Sequence, residues 1–194
     1  MQRRHLLSLA TLPLLANAAP AKTTVRTRVD TPLGAFIIEV NPAVAPVTVA
    51  NYLAYVDAHQ LDKAWVYRLV SLANQPQSPH KIEVVQWGLN LPDEAPPLRP
   101  AIAHETTKQT GLRHRDGTVS MARGAPGTAT AEFFICLGDQ PELDFGGRRN
   151  PDGQGFAAFG QVVQGMGVVR ALHAQAGPEQ WLKQPIAIGP VRRI

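Results

Sequence analysis

The sequence has little of several residue types, and each shortage excludes a class of protein. Only one of its 194 residues, Cys136, is a cysteine, so neither an internal disulfide nor a multi-cysteine zinc site can form. Aromatic residues make up 6% of the chain and no basic stripe interleaves with them, which argues against a nucleic-acid partner. No apolar run reaches the roughly 18 to 20 residues that span a bilayer, so we expect no membrane span.

Charged residues are also sparse, at 18% of the chain, whereas hydrophobic residues make up 44%. That balance is typical of a chain that folds around an apolar core, and it excludes a disordered protein. The formal net charge is +4, but Arg3 and Arg4 lie in the leader described next, so the basic excess of the remaining chain is smaller. The length suits one domain of ordinary size.

The first 21 residues have the three parts of a secretory signal peptide. Arg3 and Arg4 precede an apolar stretch over residues 6–15 that is too short for a membrane anchor, and small residues follow it. We expect cleavage near Ala18 to Ala21, export, most simply to the periplasm, and a single domain over residues 22–194. The adjacent arginines leave the export route open between the general and the twin-arginine pathway.

The rest of the chain has many short strand patterns and only two helix patterns. Turn residues 30–34 between two alternating segments predict a β-hairpin. Helices are predicted from Pro46 to about His59 and from Met166 to His173, each with apolar residues at helical spacing. Because no βαβ rhythm is present, the order predicts a mainly β fold with an antiparallel sheet, most simply a closed barrel. The predicted strands are residues 24–29, 35–40, 65–70, 82–86, 118–121, 133–137, 156–163 and 186–191.

Groups for covalent, metal or nucleotide chemistry are scarce. None of the serines after the leader lies in a nucleophile elbow, and Cys136 lies in an apolar strand that predicts a buried thiol. His104, Glu105 and His114 lack the spacing of a helical metal site, so no metal site is predicted. No phosphate loop or dinucleotide fingerprint occurs, so nucleotide chemistry is not expected. Arg68 is the exception to this pattern, because it interrupts an otherwise apolar strand.

Residues 66–70, the strand that contains Arg68, read Val-Tyr-Arg-Leu-Val. They resemble the Phe-His-Arg-Val-Ile strand of a known family, the cyclophilin-type peptidyl-prolyl isomerases. Residues 117–123, Gly-Thr-Val-Ser-Met-Ala-Arg, are similar to its Gly-x-x-Ser-Met-Ala block, and Glu-Phe-Phe-Ile at 132–135 is similar to its Ser-Gln-Phe-Phe-Ile block. The resemblance also covers the opening hairpin, the first helix and residues 86–88, 143–144 and 159–160.

The resemblance implies a closed eight-stranded antiparallel barrel capped by two α-helices, with a proline-binding groove on its outside and no cofactor. It implies an isomerase whose substrates are proline-containing polypeptides. Together with the predicted signal peptide, this leads us to expect that the substrates are other exported proteins, and we expect a monomer. Carried over by position, Arg68 is the catalytic arginine, and Phe134 forms the floor of the proline pocket. The substrate-binding positions are Val84, Gln86, Ala122, Arg123, Gly124, Glu132, Phe134, Leu143 and Phe156.

These residue types suit proline isomerisation. Rotation about an X–Pro bond is slow because amide resonance gives a barrier of roughly 18 to 20 kcal/mol. A guanidinium that donates to the prolyl nitrogen favours the twisted state in which resonance is lost, and no nucleophile is needed. Phe133 and Phe134 are adjacent on a strand, so we expect Phe133 to face the core and Phe134 the groove.

Several positions depart from the family's pattern. Tyr67 stands where the family has His, Trp87 where it has Gly, and Glu132 where it usually has Gln. The Glu132 carboxylate either pairs with Arg68 or turns to solvent. A longer loop, residues 71–80, follows the catalytic strand, and we expect it to lie at one end of the groove. These departures leave a second function open, a catalytically weak domain or chaperone that binds proline-containing segments.

Overall fold

The computed structural model describes residues 23–92 and 95–194, so the predicted signal peptide lies outside the described residues. Within them, nine strands form one sheet in which every pairing is antiparallel. The prediction of a mainly β, antiparallel fold is therefore confirmed. The strands are β1 (Val25–Thr31), β2 (Gly34–Val40), β3 (Trp65–Val70), β4 (Val84–Gly88), β5 (Thr118–Met121), β6 (Glu132–Cys136), β7 (Ala157–Gln164), β8 (Trp181–Ala187) and β9 (Val191–Arg193).

The order of the strands across the sheet is β8-β3-β4-β6-β5-β7-β2-β1-β9, so β8 and β9 form its two edges. The sequence predicts eight strands with one closing strand over 186–191, and this prediction is wrong. Gly189 and Pro190 interrupt the pairing, which leaves β8 beside β3 and β9 beside β1. In the interruption, the Ile188 N–H donates to Ala64 O at 2.8 Å and the Gly189 N–H donates to Asp30 O at 2.8 Å.

Both predicted helices are present, together with a short third one within the described residues. The helices are α1 (Pro46–Asp57), α2 (Thr107–Thr110) and α3 (Met166–His173). Pro46 begins α1, and the N–H groups of Val47 and Thr48 donate to the Glu105 carboxylate at 3.1 and 2.7 Å. Glu105 therefore caps a helix. Across residues 23–92 and 95–194, no helix combines the length and apolar character needed to cross a membrane.

Side-chain alternation along the strands separates two apolar clusters. The main core includes Phe133 and Trp87, whose rings lie 5.0 Å apart, and Tyr52 of α1 packs edge-on against Phe133. The neighbouring residue Phe134 faces the opposite side of the sheet. It belongs to the outer cluster, which consists of Val70, Ile82, Val84, Phe134, Cys136 and Leu143.

A β-bulge in β3 decides which face of the sheet Arg68 occupies. The register of β3 shifts between Val66 and Arg68 in its pairing with both β4 and β8. Strict alternation would place Arg68 on the face of Val66, which is buried in the main core. The extra residue, Tyr67, brings both its own side chain and that of Arg68 to the outer face, and Leu69 then returns to the core.

Candidate active site

A pocket of about 290 Å³ lies on the outer face of the sheet, against the outer cluster. It brings together all of the predicted site residues except Gly124 and Glu132. The apolar side chains that line it are Ile82, Val84, Ala122, Phe134, Leu143 and Phe156. The polar side chains that line it are Arg68, Gln86, Arg123, Arg149 and Asn150.

Phe134 forms the floor of this pocket and is held on two sides. The Phe156 ring packs edge-on against it at 5.4 Å, and the imidazole of His114 stacks on it at 5.9 Å. His114 is fixed in turn by Asp144 at 2.8 Å and by the Ser120 hydroxyl at 2.9 Å. Because Ser120 and His114 are both buried, this group supports the pocket floor and is closed to substrate.

Arg68 enters the pocket from its polar side. Its Nη1 donates to Gln86 Oε1 at 3.0 Å, and its Nε and Nη2 both donate to Gln180 Oε1, at 3.1 and 2.6 Å. The guanidinium also lies 5.4 Å from the centre of the Trp181 ring. Burial lowers the pKa of Arg68, and the charge of Arg149 lowers it further. Since both hydrogen-bond partners are neutral amides, the positive charge is not compensated by them.

A second hydrogen bond of the Gln86 side-chain amide connects it, through the Tyr67 hydroxyl, to Glu132. Gln86 Nε2 donates to the Tyr67 hydroxyl oxygen at 2.7 Å, and that hydroxyl donates to Glu132 Oε2 at 2.5 Å. Glu132 Oε1 accepts from the Asn90 N–H at 2.8 Å. The sequence suggests that Glu132 could pair directly with Arg68. In the structure Glu132 instead contacts Tyr67 and Asn90, because the bulge places Tyr67 next to the carboxylate. Burial raises the pKa of Glu132 to about 7.

Arg123 lines the pocket but its charge is already paired. Its side chain is 1% exposed, and its two terminal nitrogens donate to the Asp152 carboxylate at 2.8 and 3.0 Å. The guanidinium lies over the Phe156 ring at 5.2 Å, and Nη1 also donates to Gly124 O at 2.9 Å. Gly124 therefore lies beside the pocket wall, held by the arginine that forms it.

Besides Ile82, which precedes β4, sequence reasoning misses four residues at the site: Arg149, Asn150, Gln180 and Trp181. All four lie outside the motifs that carry the resemblance, in the loop before β7 or at the start of β8. Two adjacent arginines in a turn-rich loop are the only signal for Arg149, and a surface role explains such a pair equally well. Trp87, by contrast, is buried in the main core and lies outside the pocket lining.

Comparison with known proteins gives consistent matches along the sequence. The family model for cyclophilin type peptidyl-prolyl cis-trans isomerase/CLD matches residues 24–192. Peptidyl-prolyl cis-trans isomerase cyp18 of Streptomyces antibioticus is 33% identical over 165 residues, which cover 84% of this chain and 91% of that protein. Peptidyl-prolyl cis-trans isomerase A of Dickeya dadantii is 29% identical over 172 residues, which cover 87% of this chain and 83% of that protein.

The fold also matches that of a solved structure. The cyclophilin type peptidyl-prolyl cis-trans isomerase of Cryptosporidium parvum aligns with a TM-score of 0.70 at 17% identity, covering 89% of this chain and 98% of that one. Its crystal structure in the presence of the dipeptide Ala-Pro aligns with a TM-score of 0.66 at 18% identity, covering 86% and 97%. Because the family model matches residues 24–192, which is most of the chain, the chain belongs to the cyclophilin-type peptidyl-prolyl cis-trans isomerases.

Proposed function

We propose that the outer-face pocket binds proline-containing segments and catalyses cis/trans isomerisation of their X–Pro bonds, with Arg68 as the catalytic residue. The observation that carries this proposal is an uncompensated guanidinium at the edge of an apolar pocket. The Cryptosporidium parvum protein of the same fold was crystallised in the presence of the dipeptide Ala-Pro, which supports the same substrate class here.

The chemistry follows from what each side of the pocket offers. The proline ring lies against Val84, Phe134, Leu143 and Phe156, so it stays in place while the preceding carbonyl rotates. Three of the five guanidinium N–H groups of Arg68 are engaged by amide oxygens, which leaves two for the prolyl nitrogen. Donation to that nitrogen stabilises the twisted amide, and the charge does not titrate at working pH.

The remaining predicted residues would hold the substrate backbone. Gln86 uses one N–H of its amide for Tyr67 and keeps the other for a substrate carbonyl. Ala122, Arg123 and Gly124 border the pocket and present their backbone to the residue before proline. We assign Glu132 to orienting Gln86 through Tyr67, since it lies outside the pocket lining.

We also propose that the sheet closes as a barrel. The support is the short connection between the edge strands, in which Ile188 bonds to Ala64 beside β3 and Gly189 bonds to Asp30 of β1. The segment that contains β8 and β9 therefore runs from one edge of the sheet to the other.

We further propose that residues 1–21 direct export to the periplasm and that residues 22–194 act there as a single monomeric domain. Amino-terminal sequencing of the protein recovered from a periplasmic extract tests the export proposal, and a start within residues 1–17 contradicts it.

The decisive experiment is a protease-coupled isomerisation assay on a short proline peptide. The wild type should accelerate isomerisation, and Arg68→Ala should lower kcat/KM roughly 10²- to 10³-fold, as expected for one lost oriented donor. The matched control is Arg148→Ala, since Arg148 is 69% exposed and pairs with Glu142 outside the pocket. If the wild type binds the peptide but gives no acceleration at micromolar concentration, the protein is the proline-segment binding domain instead.

A further inference from the structure

Arg149 lies where two depressions on the outer face meet. The outer-face pocket and a neighbouring groove of about 550 Å³ share two lining residues, Arg68 and Arg149. The rest of this groove comes from the loop over residues 71–80 and from Gln180, so that loop lies at one end of the pocket as the sequence predicts. An extended peptide advances about 3.3 Å per residue, so residues flanking a bound proline reach the groove within one or two positions.

The two shared arginines carry the only unpaired charge of the lining within the described residues. Arg123 is paired with Asp152, and the neighbouring Arg148 is paired with Glu142 at 2.8 Å. Neither Arg68 nor Arg149 forms an ion pair with any described carboxylate, and neither depression has an acidic residue in its lining.

The hydrogen bonds of Arg149 use one side of its guanidinium. Nη1 donates to Gln75 Oε1 at 2.9 Å, to Ser78 Oγ at 2.6 Å and to His80 O at 2.9 Å, and all three acceptors are neutral. Nε and Nη2 donate to no acceptor among residues 23–92 and 95–194. Contacts with the loop over residues 71–80 therefore use only Nη1. The edge of the guanidinium formed by Nε and Nη2 has two N–H donors available for a ligand.

Half-burial of two like charges is costly, and among the described residues their partners are neutral groups, with no carboxylate to compensate the charge. Burial lowers the pKa of Arg149, and Arg149 in turn contributes to the lowered pKa of Arg68. A bound anion would relieve this repulsion, and a carboxylate matches the two-donor edge of a guanidinium in geometry and charge.

Resting on the proposed function, we propose that Arg149 selects substrates with a carboxylate close to the proline. Together with Arg68 it would make acidic proline segments the preferred substrate class. The carboxylate comes either from an Asp or Glu side chain within two residues of the proline or from a chain terminus at that distance. Both sources offer the same group to the same open edge.

A peptide series tests this preference and separates the two sources. Each peptide carries Glu or its isostere Gln at one of the two positions on either side of proline, and the C-terminus is either free or amidated. We expect at least one Glu peptide, or one peptide ending in a free carboxylate beside proline, to exceed its neutral partner roughly tenfold in kcat/KM, mainly through KM. The ratio should shrink as salt screens the charges.

Three variants distinguish charge recognition from bracing. Arg149→Gln should lower kcat/KM more on the acidic peptides than on the neutral ones and so bring the ratio near one, and Arg149→Lys should keep much of the ratio. Arg148→Gln, which removes a neighbouring charge outside both depressions, should keep the ratio in full. A ratio of one in the wild type, or a ratio that survives Arg149→Gln, overturns the proposal. If Arg149→Gln lowers kcat/KM equally on all peptides, Arg149 only holds the loop over residues 71–80 in place, and the proposal is also overturned.

The series separates failure of this inference from failure of the proposed function. If neutral peptides are isomerised and no acidic preference appears, only the inference fails. If no peptide is isomerised, the proposed function fails, and fluorescence titration with the same peptides decides the inference. Tighter binding of the acidic peptide by the wild type but not by Arg149→Gln then supports it, and equal binding overturns it.

Discussion

Gln180 holds Arg68 through one atom: its Oε1 accepts from both Nε and Nη2 of the guanidinium, at 3.1 and 2.6 Å. The amide nitrogen of Gln180 donates to the Asn74 carbonyl at 3.0 Å, and the Asn74 side chain donates to Leu69 O at 2.9 Å. This chain of contacts fixes the arginine against the loop that follows its own strand. Gln180 and Asn74, which help to orient the charged group, are therefore outside the motifs that identify it.

Gln180 is expected to be a positioning residue. Gln180→Ala removes two hydrogen bonds from Arg68 and should lower kcat roughly five- to tenfold with little change in KM, in keeping with about 1 kcal/mol for such bonds. Gln180→Glu keeps an acceptor oxygen but pairs the guanidinium with a carboxylate, which weakens its field at the substrate, so its kcat should fall further than that of Gln180→Ala. Steady-state kinetics of both variants check this, and equal kcat values for Gln180→Ala and the wild type would exclude a positioning role.

The several N–H donors of the Arg68 guanidinium should contribute to catalysis in addition to its positive charge. Lysine at this position keeps the positive charge but cannot donate to Gln86 and Gln180 together while facing substrate. We expect Arg68→Lys to lose at least about tenfold in kcat/KM, yet less than Arg68→Ala loses. Thermal unfolding should show both variants folded. Full activity in Arg68→Lys would mean that charge alone is sufficient.

The two adjacent phenylalanines should give opposite phenotypes. Phe133 is fully buried between Tyr52, Trp87 and Phe159, so Phe133→Ala should cost about 3 to 5 kcal/mol of unfolding free energy. Phe134 is 4% exposed at the pocket floor, so Phe134→Ala should chiefly raise KM and cost less stability. Denaturant unfolding and peptide kinetics on both variants measure the contrast. A larger KM effect for Phe133→Ala would contradict the assigned faces.

The sequence predicts most of the fold because alternation and turn residues act locally. It places β3 and β5 correctly, and it places both longer helices. The pattern does not predict β8, because Pro185 and polar residues within Trp181–Ala187 read as loop, whereas an edge strand tolerates them. It also does not predict α2, which has four residues and is stabilised by the Thr106 capping box more than by periodic apolar residues.

The site is predicted less completely than the fold, for a physical reason. Positions within the strands, such as Gln86 and Phe134, follow from family motifs and lie together in the pocket. Arg149 and Gln180 reach the pocket from loops, whose paths depend on contacts between distant residues that no local pattern encodes. The partner of Glu132 is likewise set by the bulge at Tyr67, which changes the face of a side chain without any signal in the sequence.

Glu132 should make the stability of the protein fall between mildly acidic and neutral pH. Burial raises its pKa from 4.5 to about 7, so the folded state binds this proton more tightly than the unfolded chain does. The resulting stabilisation is complete below pH 4.5 and is lost as the pH rises through about 7. Over that interval, we expect Glu132 to remove on the order of 3 kcal/mol from the free energy of unfolding.

Urea unfolding of the wild type and Glu132→Gln between pH 4.5 and 8 isolates this contribution, because the other titrating groups cancel in the difference. Glu132→Gln cannot ionise, so its stability relative to the wild type should increase across the interval and level off above it. Glu142→Gln is the control: Arg148 lowers the pKa of Glu142 to about 2, so its difference from the wild type should stay flat over the same range. A flat difference for Glu132→Gln as well would show that Glu132 ionises at the same pH in the folded and unfolded chains, and that Tyr67 and Asn90 offset its burial in full.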